Sequence, residues 1–65
     1  MNTGENIRRR RRNVGLTQWE LSQKVGIRQG SLLLIERGQA VCSKQLLERI
    51  AKALDVRVSD LRKPQ

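Results

Sequence analysis

The 65-residue chain has no histidine, tyrosine or phenylalanine, and only one each of cysteine, tryptophan and proline. Without histidine and with a single cysteine, a zinc finger and a disulfide framework are both excluded, and we expect no metal and no cofactor. The longest apolar run, residues 32–35, is far shorter than the ~20 residues of a membrane span, and no signal peptide is recognisable. We therefore predict a cytoplasmic protein with no membrane partner.

Candidate catalytic groups are scarce as well. The chain offers no Cys–His pair, no cluster of metal ligands and no glycine-rich loop that could cradle a phosphate. Nucleophilic, metal-assisted and phosphoryl-transfer chemistry each need one of these arrangements. We therefore predict that the protein is not an enzyme.

Acidic residues are few relative to basic ones. Fourteen lysines and arginines face six acids, giving a net charge of +8 and a pI near 11.4. A surface this basic indicates a polyanionic partner, either nucleic acid or anionic lipid. Ten of the basic residues are arginines, which favours phosphate because the planar guanidinium binds it through two parallel hydrogen bonds. The length allows one small domain, residues 1–65.

Two short helices are predicted around a turn at Gly26, one over about 18–25 and the next over about 29–36. Thr17 and Glu20 have the spacing of a capping box, in which each side chain accepts a hydrogen bond from the other residue's backbone N–H. Apolar residues recur at helical spacing in both segments. Two helices that cross at a glycine turn predict a helix-turn-helix.

A first helix is predicted to precede this motif. Asn2 and Thr3 can cap its start, and the helix should run to about Val14. Ile7 and Val14 are expected to mark its inner face.

Two further helices are predicted after the motif. One is capped by Ser43 and runs to Leu54, and a shorter one covers about Val56 to Arg62. Apolar residues of the longer helix form one inward stripe, consisting of Leu47, Ile50, Ala51 and Leu54. The predicted fold is an all-α compact bundle of four or five short helices.

Several short motifs resemble the phage-repressor/Cro-like (Xre-type) DNA-binding domains. The resemblance rests on Gly15-Leu16-Thr17-Gln18, Glu20-Leu21, Gly26-Ile27, Ile35-Glu36-Arg37-Gly38, Leu47, the segment 50–54 and Val56. These matches keep fixed spacing over most of the chain, which makes them more specific than any lone motif. The resemblance implies a lambda-repressor-like helix-turn-helix domain that binds double-stranded DNA.

By this resemblance the second helix of the motif would lie in the major groove. The implied base-reading residues are Arg28, Gln29, Gly30, Ser31 and Leu34. A glutamine amide can bond an adenine at N6 and N7, and an arginine can reach a guanine or a phosphate. The implied phosphate-binding residues are Thr17, Gln18, Arg37 and Gln39.

The resemblance also implies a structural ion pair between Arg11 and Glu36, which would join helix 1 to the recognition helix. Members of the family usually have an apolar residue at the position of Arg10. We therefore expect Arg10 to extend outward along its aliphatic stem. The remaining arginines of the run are expected on a solvated face: Arg8, Arg9 and Arg12.

We predict a sequence-specific transcriptional regulator, a repressor that binds a palindromic operator as a homodimer. Dimer contacts are expected among Val41, Leu46, Val58 and Leu61. One alternative is a protein-interaction module, antitoxin-like or an adapter, that uses an exposed pair at Leu33 and Leu34. Another is RNA binding or nonspecific nucleic-acid binding through the arginine-rich first helix.

Overall fold

The computed structural model describes residues 3–63, and this part of the chain forms five α-helices. They are α1 (Thr3–Asn13), α2 (Gln18–Val25), α3 (Gln29–Glu36), α4 (Lys44–Ala53) and α5 (Val58–Arg62). The predicted all-α bundle is confirmed, and the predicted bounds of the two motif helices match those observed. None of the five helices has both the length and the apolar composition to cross a bilayer.

Helix α1 differs from the prediction at its C-terminal end. Ile7 is fully buried as expected, but Val14 is 40% exposed and does not belong to the inner face. The helix ends at Asn13, and Gly15 then adopts a left-handed conformation with φ of +79°. This turn directs the chain away before Val14 can reach the core. The proposed cap at Asn2 lies outside the described residues.

Helix α2 begins with the predicted capping box. The Thr17 hydroxyl accepts the backbone N–H of Glu20 at 3.0 Å, and the Glu20 carboxylate accepts the backbone N–H of Thr17 at 2.8 Å. The backbone N–H of Thr17, assisted by its hydroxyl, stabilises the charged carboxylate and holds the pKa of Glu20 below its ordinary value. By contrast, Arg28 at the start of α3 makes no side-chain capping bond.

Helix α4 begins at the predicted cap, where the Ser43 hydroxyl accepts the backbone N–H of Leu46 at 3.1 Å. It ends in a Schellman motif, with Asp55 left-handed at φ of +59° and the N–H of Val56 donating to the carbonyl of Ala51 at 3.0 Å. Because this motif uses residues 55 and 56, α5 starts at Val58, two residues later than predicted.

The core is one apolar cluster to which every helix contributes. Helix α2 packs on α3 and α4, while α1 lies across α3 and α5. All four members of the predicted inward stripe of α4 are buried. The buried apolar residues are Ile7, Leu21, Val25, Leu32, Ile35, Leu47, Ile50, Ala51, Leu54 and Leu61.

Helix α1 is fixed to its neighbours by backbone contact and by polar side chains. At Gly4, an added Cβ would lie 2.8 Å from the carbonyl oxygen of Glu36 and nearer still to that of Ile35. Asn6 donates to the carbonyls of Leu61 and Lys63, at 2.9 and 2.7 Å. The contact at Gly4 sets where α1 lies along the C-terminal end of α3, and the bonds of Asn6 attach α1 to the end of α5.

Arg10 corrects one expectation for α1. It is half-buried, and its Nε donates to the carbonyl of Leu54 at 3.1 Å. A charged donor at this carbonyl satisfies the C-terminal end of α4. Arg10 therefore has a defined partner within the fold, which the expectation of a side chain extending outward along its stem did not include.

Candidate nucleic-acid interface

The site is built around a buried ion pair between α1 and α3. Nε of Arg11 donates to Oε2 of Glu36 at 2.8 Å, and Nη2 donates to Oε1 at 3.0 Å. The residues are 8% and 4% exposed. Arg11 also donates from Nη1 to the carbonyl of Leu16 at 2.9 Å, just before α2. The predicted pair is thus present, in the bidentate geometry that makes such pairs strong.

Gln18, the first residue of α2, is attached to the same carboxylate. Its Nε2 donates to Oε1 of Glu36 at 3.1 Å, and the residue is half-buried. An amide nitrogen carries two hydrogens, so one remains available for an outside acceptor. This bond was not predicted from the sequence. A signal was present, because Gln18 and Ser22 are four residues apart and so share one face of α2, and Ser22 is small enough to let α3 pack closely there.

A groove of about 540 Å³ opens where α1, the start of α2 and α3 meet. Of the predicted phosphate and base contacts, the groove brings together Thr17, Gln18, Gln29 and Arg37. The complete lining is Arg8, Arg11, Arg12, Thr17, Gln18, Gln29, Leu33, Glu36 and Arg37. Polar donors from three helices therefore converge on one concave, basic surface.

The other predicted base-reading residues lie outside this groove. The exposed positions on the outer surface at the start and middle of α3 are Arg28, Gly30, Ser31 and Leu34. A Cβ added at Gly30 would meet nothing within 4 Å, so the backbone is open there. Gln39 is exposed beyond α3, and its backbone N–H donates to the carbonyl of Leu34 at 2.8 Å. The structure thus divides the candidate contacts between a groove and a helix face.

Leu33 was expected to point away from the core and to form an exposed pair with Leu34; it lies outside the core cluster, but the exposed pair is not observed. Leu33 is half-buried and lines the groove, whereas Leu34 is exposed and does not. Adjacent residues of a helix point about 100° apart. The two leucines therefore do not form one exposed apolar patch.

The residues predicted to form dimer contacts differ in their exposure. Val41 is 98% exposed, whereas Leu46 and Val58 are half-buried against the core. Leu61 is 2% exposed and is a core residue. Its side chain cannot contact a partner, so Leu61 is removed from the predicted dimer contacts.

Arg8 and Arg12 are exposed, as expected for a solvated face, and both also line the groove, which was not expected. Helical spacing could have indicated this position. Arg8 and Arg12 are three residues before and one after Arg11, and i, i+3 and i+4 positions share a helix face. Once Arg11 is placed against Glu36, the other two flank it.

Comparison with known proteins agrees with this geometry. A model of the helix-turn-helix family matches residues 7–61. The chain is 38% identical over 55 residues, 85% of its own length, to a protein of Archaeoglobus fulgidus that is named as an HTH-type transcriptional regulator, and it covers 79% of that protein.

Two crystal structures are also similar. One is SinR, the master regulator for biofilm formation, in complex with DNA, at TM-score 0.84 and 37% identity, covering 91% of this chain and 95% of that one. The other is the clp gene regulator ClgR from Corynebacterium glutamicum, at TM-score 0.89 and 32% identity. This alignment covers 91% of the present chain but 63% of ClgR. The chain therefore belongs to the helix-turn-helix family of DNA-binding transcriptional regulators.

Proposed function

We propose that this protein is a sequence-specific transcriptional repressor that acts in the cytoplasm as a homodimer on a palindromic operator. The observation that carries the proposal is the convergence of Thr17, Gln18, Gln29 and Arg37 in one groove beside the exposed face of α3. In a helix-turn-helix, the second helix enters the major groove and the first crosses the backbone. A protein bound in this way blocks access to the DNA it covers, which is sufficient for repression.

The residues would divide into those that contact bases and those that contact phosphates. Gln29, at the first position of α3, would bond an adenine edge, and Arg28 and Ser31 would reach neighbouring bases. Gln18 would donate its free amide hydrogen to a phosphate, and Thr17, Arg37 and Gln39 would hold the same backbone. Gly30 leaves room for close approach, and Leu34 could contact a thymine methyl.

The dimer would use the surface around Val41, which is 98% exposed, with Leu46 and Val58 beside the core. Two-fold symmetry would place the half-sites about one turn of DNA apart, roughly 34 Å. We expect weak association in solution that the operator completes. Sedimentation showing a monomer even on a full palindrome would count against this part of the proposal.

The alternative of a protein-interaction module loses its main support. It required Leu33 and Leu34 to share an exposed surface, and the structure places Leu33 in the groove. Nonspecific binding through the arginine-rich helix remains a distinct outcome of the experiment below, because basic charge alone does not select a sequence.

The test is selection of binding sites from random duplex DNA. We expect the wild-type protein to enrich one palindromic motif. Gln29→Ala should flatten one position in each half-site and cost about 1–3 kcal/mol on the selected DNA, since a bidentate base contact is lost. Arg37→Ala should weaken binding to all sequences and leave the motif unchanged.

Leu34→Ala distinguishes two roles for that residue. A changed thymine preference indicates that Leu34 faces the major groove, and an unchanged motif and affinity remove it from the base-reading set. If the wild-type protein enriches no motif, the proposal of sequence-specific regulation is wrong. If Gln29→Ala leaves every position intact, the assignment of α3 as the recognition helix is wrong.

A further inference from the structure

The five consecutive arginines of α1 have different surroundings. Arg11 is buried against Glu36, and Arg10 donates to the carbonyl of Leu54. Arg8 and Arg12 are exposed and line the groove, together with Arg37 from beyond α3. The run therefore includes two arginines that are bonded within the fold and two that stay exposed at the candidate interface.

The charges of these three guanidiniums are not neutralised within the groove. Arg8 is attracted to Glu5, one turn earlier on α1, but Glu5 does not line the groove. The one acid that lines the groove is Glu36, whose two carboxylate oxygens are already held by Arg11 and Gln18. Between residues 3 and 63, no ion pair or side-chain hydrogen bond is formed by Arg8, Arg12 or Arg37. The groove thus holds three exposed cations, and its one carboxylate is already held by other side chains, which makes it an attractive site for phosphate.

The spacing of the arginines fits a nucleic-acid backbone. Arg8 and Arg12 are four residues apart on one face of α1, which corresponds to about 6 Å along the helix axis. Neighbouring phosphates of one DNA strand are ~3.4 Å apart along the duplex axis and farther apart in space because the strand winds around it. Two long side chains about 6 Å apart can therefore meet neighbouring phosphates. Leu33 between the helices supplies an apolar surface that a sugar could cover.

We propose that Arg8 and Arg12 of α1, together with Arg37, form a phosphate-binding row that extends the protein–DNA interface from the motif onto the first helix. The inference rests on the proposed function, since it assigns additional contacts to the same DNA. Its effect is sequence-independent affinity, while the exposed face of α3 carries the base contacts.

The experiment compares two double variants that remove the same charge. Arg8→Gln/Arg12→Gln alters the groove, and Arg49→Gln/Arg57→Gln alters exposed arginines that do not line it. Binding to the selected operator is measured from 0.05 to 0.5 M salt, with circular dichroism and thermal unfolding to verify that each variant is folded. The phosphates contacted are mapped by ethylation interference.

For the groove variant, we expect the slope of log affinity against log salt to become shallower by about 1.8 per bound protomer, because each lost phosphate contact removes about 0.9. If the two proteins bind equally at 1 M salt, this difference in slope amounts to a loss of about 60-fold per protomer at 0.1 M salt. The selected motif should not change, and ethylation at the phosphates that Arg8 and Arg12 contact should cease to interfere. The control variant should keep the wild-type slope.

Equal slopes for the two double variants and the wild-type protein would overturn the inference, even if the operator is bound specifically. The proposed function fails separately. Suppose that the wild-type protein enriches no motif, and that nonspecific DNA binding has a shallower salt slope in the groove variant but not in the control variant. The phosphate row is then supported, and sequence-specific regulation is not. An unfolded groove variant is replaced by Arg8→Lys/Arg12→Lys. That pair retains the slope but should lose affinity, because lysine cannot bind a phosphate through two parallel bonds; unchanged affinity there would also overturn the inference.

Discussion

Gln18 donates to Glu36 across 3.1 Å, so the first residue of α2 is bonded to the last residue of α3. Arg11 holds the same carboxylate from α1. One buried acid therefore fixes the relative position of three helices and orients a side chain proposed to meet DNA. Stability and DNA affinity are expected to be coupled at this carboxylate.

Glu36→Ala should lower the free energy of unfolding by about 3 kcal/mol, since it leaves the buried Arg11 guanidinium without its carboxylate. Glu48→Ala, at an exposed position of α4, should change it by less than about 0.5 kcal/mol. Urea unfolding of Arg11→Ala, Glu36→Ala and the double variant gives the coupling energy. Additive effects in that cycle would contradict a cooperative pair.

Gly4→Ala should destabilise the protein by about 1–3 kcal/mol, as overpacking does in a closed interface. The added methyl would meet backbone carbonyls of Ile35 and Glu36, which cannot rotate away as a side chain could. Gly30→Ala is the matched control, because a Cβ there meets nothing within 4 Å. It should stabilise α3 by about 0.5–1 kcal/mol.

The same glycine pair can be examined on DNA. If Gly30→Ala is more stable but binds the operator more weakly, the backbone at Gly30 approaches the DNA closely. Unchanged affinity would mean that the glycine is simply tolerated near the start of α3. Thermal unfolding midpoints that move in the same direction for Gly4→Ala and Gly30→Ala would contradict the packing argument.

Asp55→Gly should stabilise the protein by about 0.5–1 kcal/mol. Asp55 has a left-handed conformation, which costs most L-residues about 1–2 kcal/mol, although glycine also loses more chain entropy on folding. Ser59→Gly in α5 serves as the control and should destabilise by a similar amount, because Ser59 is helical. Chemical unfolding should show a higher unfolding free energy for Asp55→Gly and a lower one for Ser59→Gly.

Glu20→Gln should reduce the acid sensitivity of the fold. The folded-state pKa of Glu20 is lowered, chiefly by the backbone N–H of Thr17. A lowered pKa contributes stability above the unfolded pKa of about 4.3, and this contribution is lost as pH falls through the folded value. The stability difference between wild type and variant should therefore be largest near pH 7 and shrink below about pH 4.

Titration of Asp60 does not affect the comparison of wild type with Glu20→Gln. Its pKa is also lowered, first by the backbone N–H of Arg57, but it is present in both proteins and cancels in the difference. Urea midpoints measured at several pH values provide the data. If the difference in unfolding free energy between wild type and Glu20→Gln grows as the pH falls, the charged Glu20 carboxylate does not stabilise the fold.

The motif itself was predictable because its signals are local. Thr17 and Glu20 are three residues apart and mark the start of α2, and Gly26 marks its end. The Arg11–Glu36 pair spans 25 residues, and it was predicted through the family resemblance. The bounds of α2 and α3 followed from capping chemistry and a helical repeat that agree with each other.

The missed features depend on contacts between distant parts of the chain. Gly4 lies against Ile35, and the Arg10 side chain reaches Leu54. Nothing near Gly4 or Arg10 in the sequence indicates such partners. Val14 was assigned to the inner face because helical periodicity does not show where a helix ends. For Leu33, periodicity gave the direction away from the core but not the groove that partly buries the side chain.

Asn6 bonds the carbonyls of Leu61 and Lys63, which brings the two ends of the described chain together. Val41, by contrast, lies in the loop between α3 and α4, and this residue is almost completely exposed. A circular permutant that joins the ends through a short glycine-rich linker and opens the chain at Val41 should therefore fold to the same bundle. The groove would be preserved in such a permutant, because α1, α2 and α3 would still follow one another without interruption.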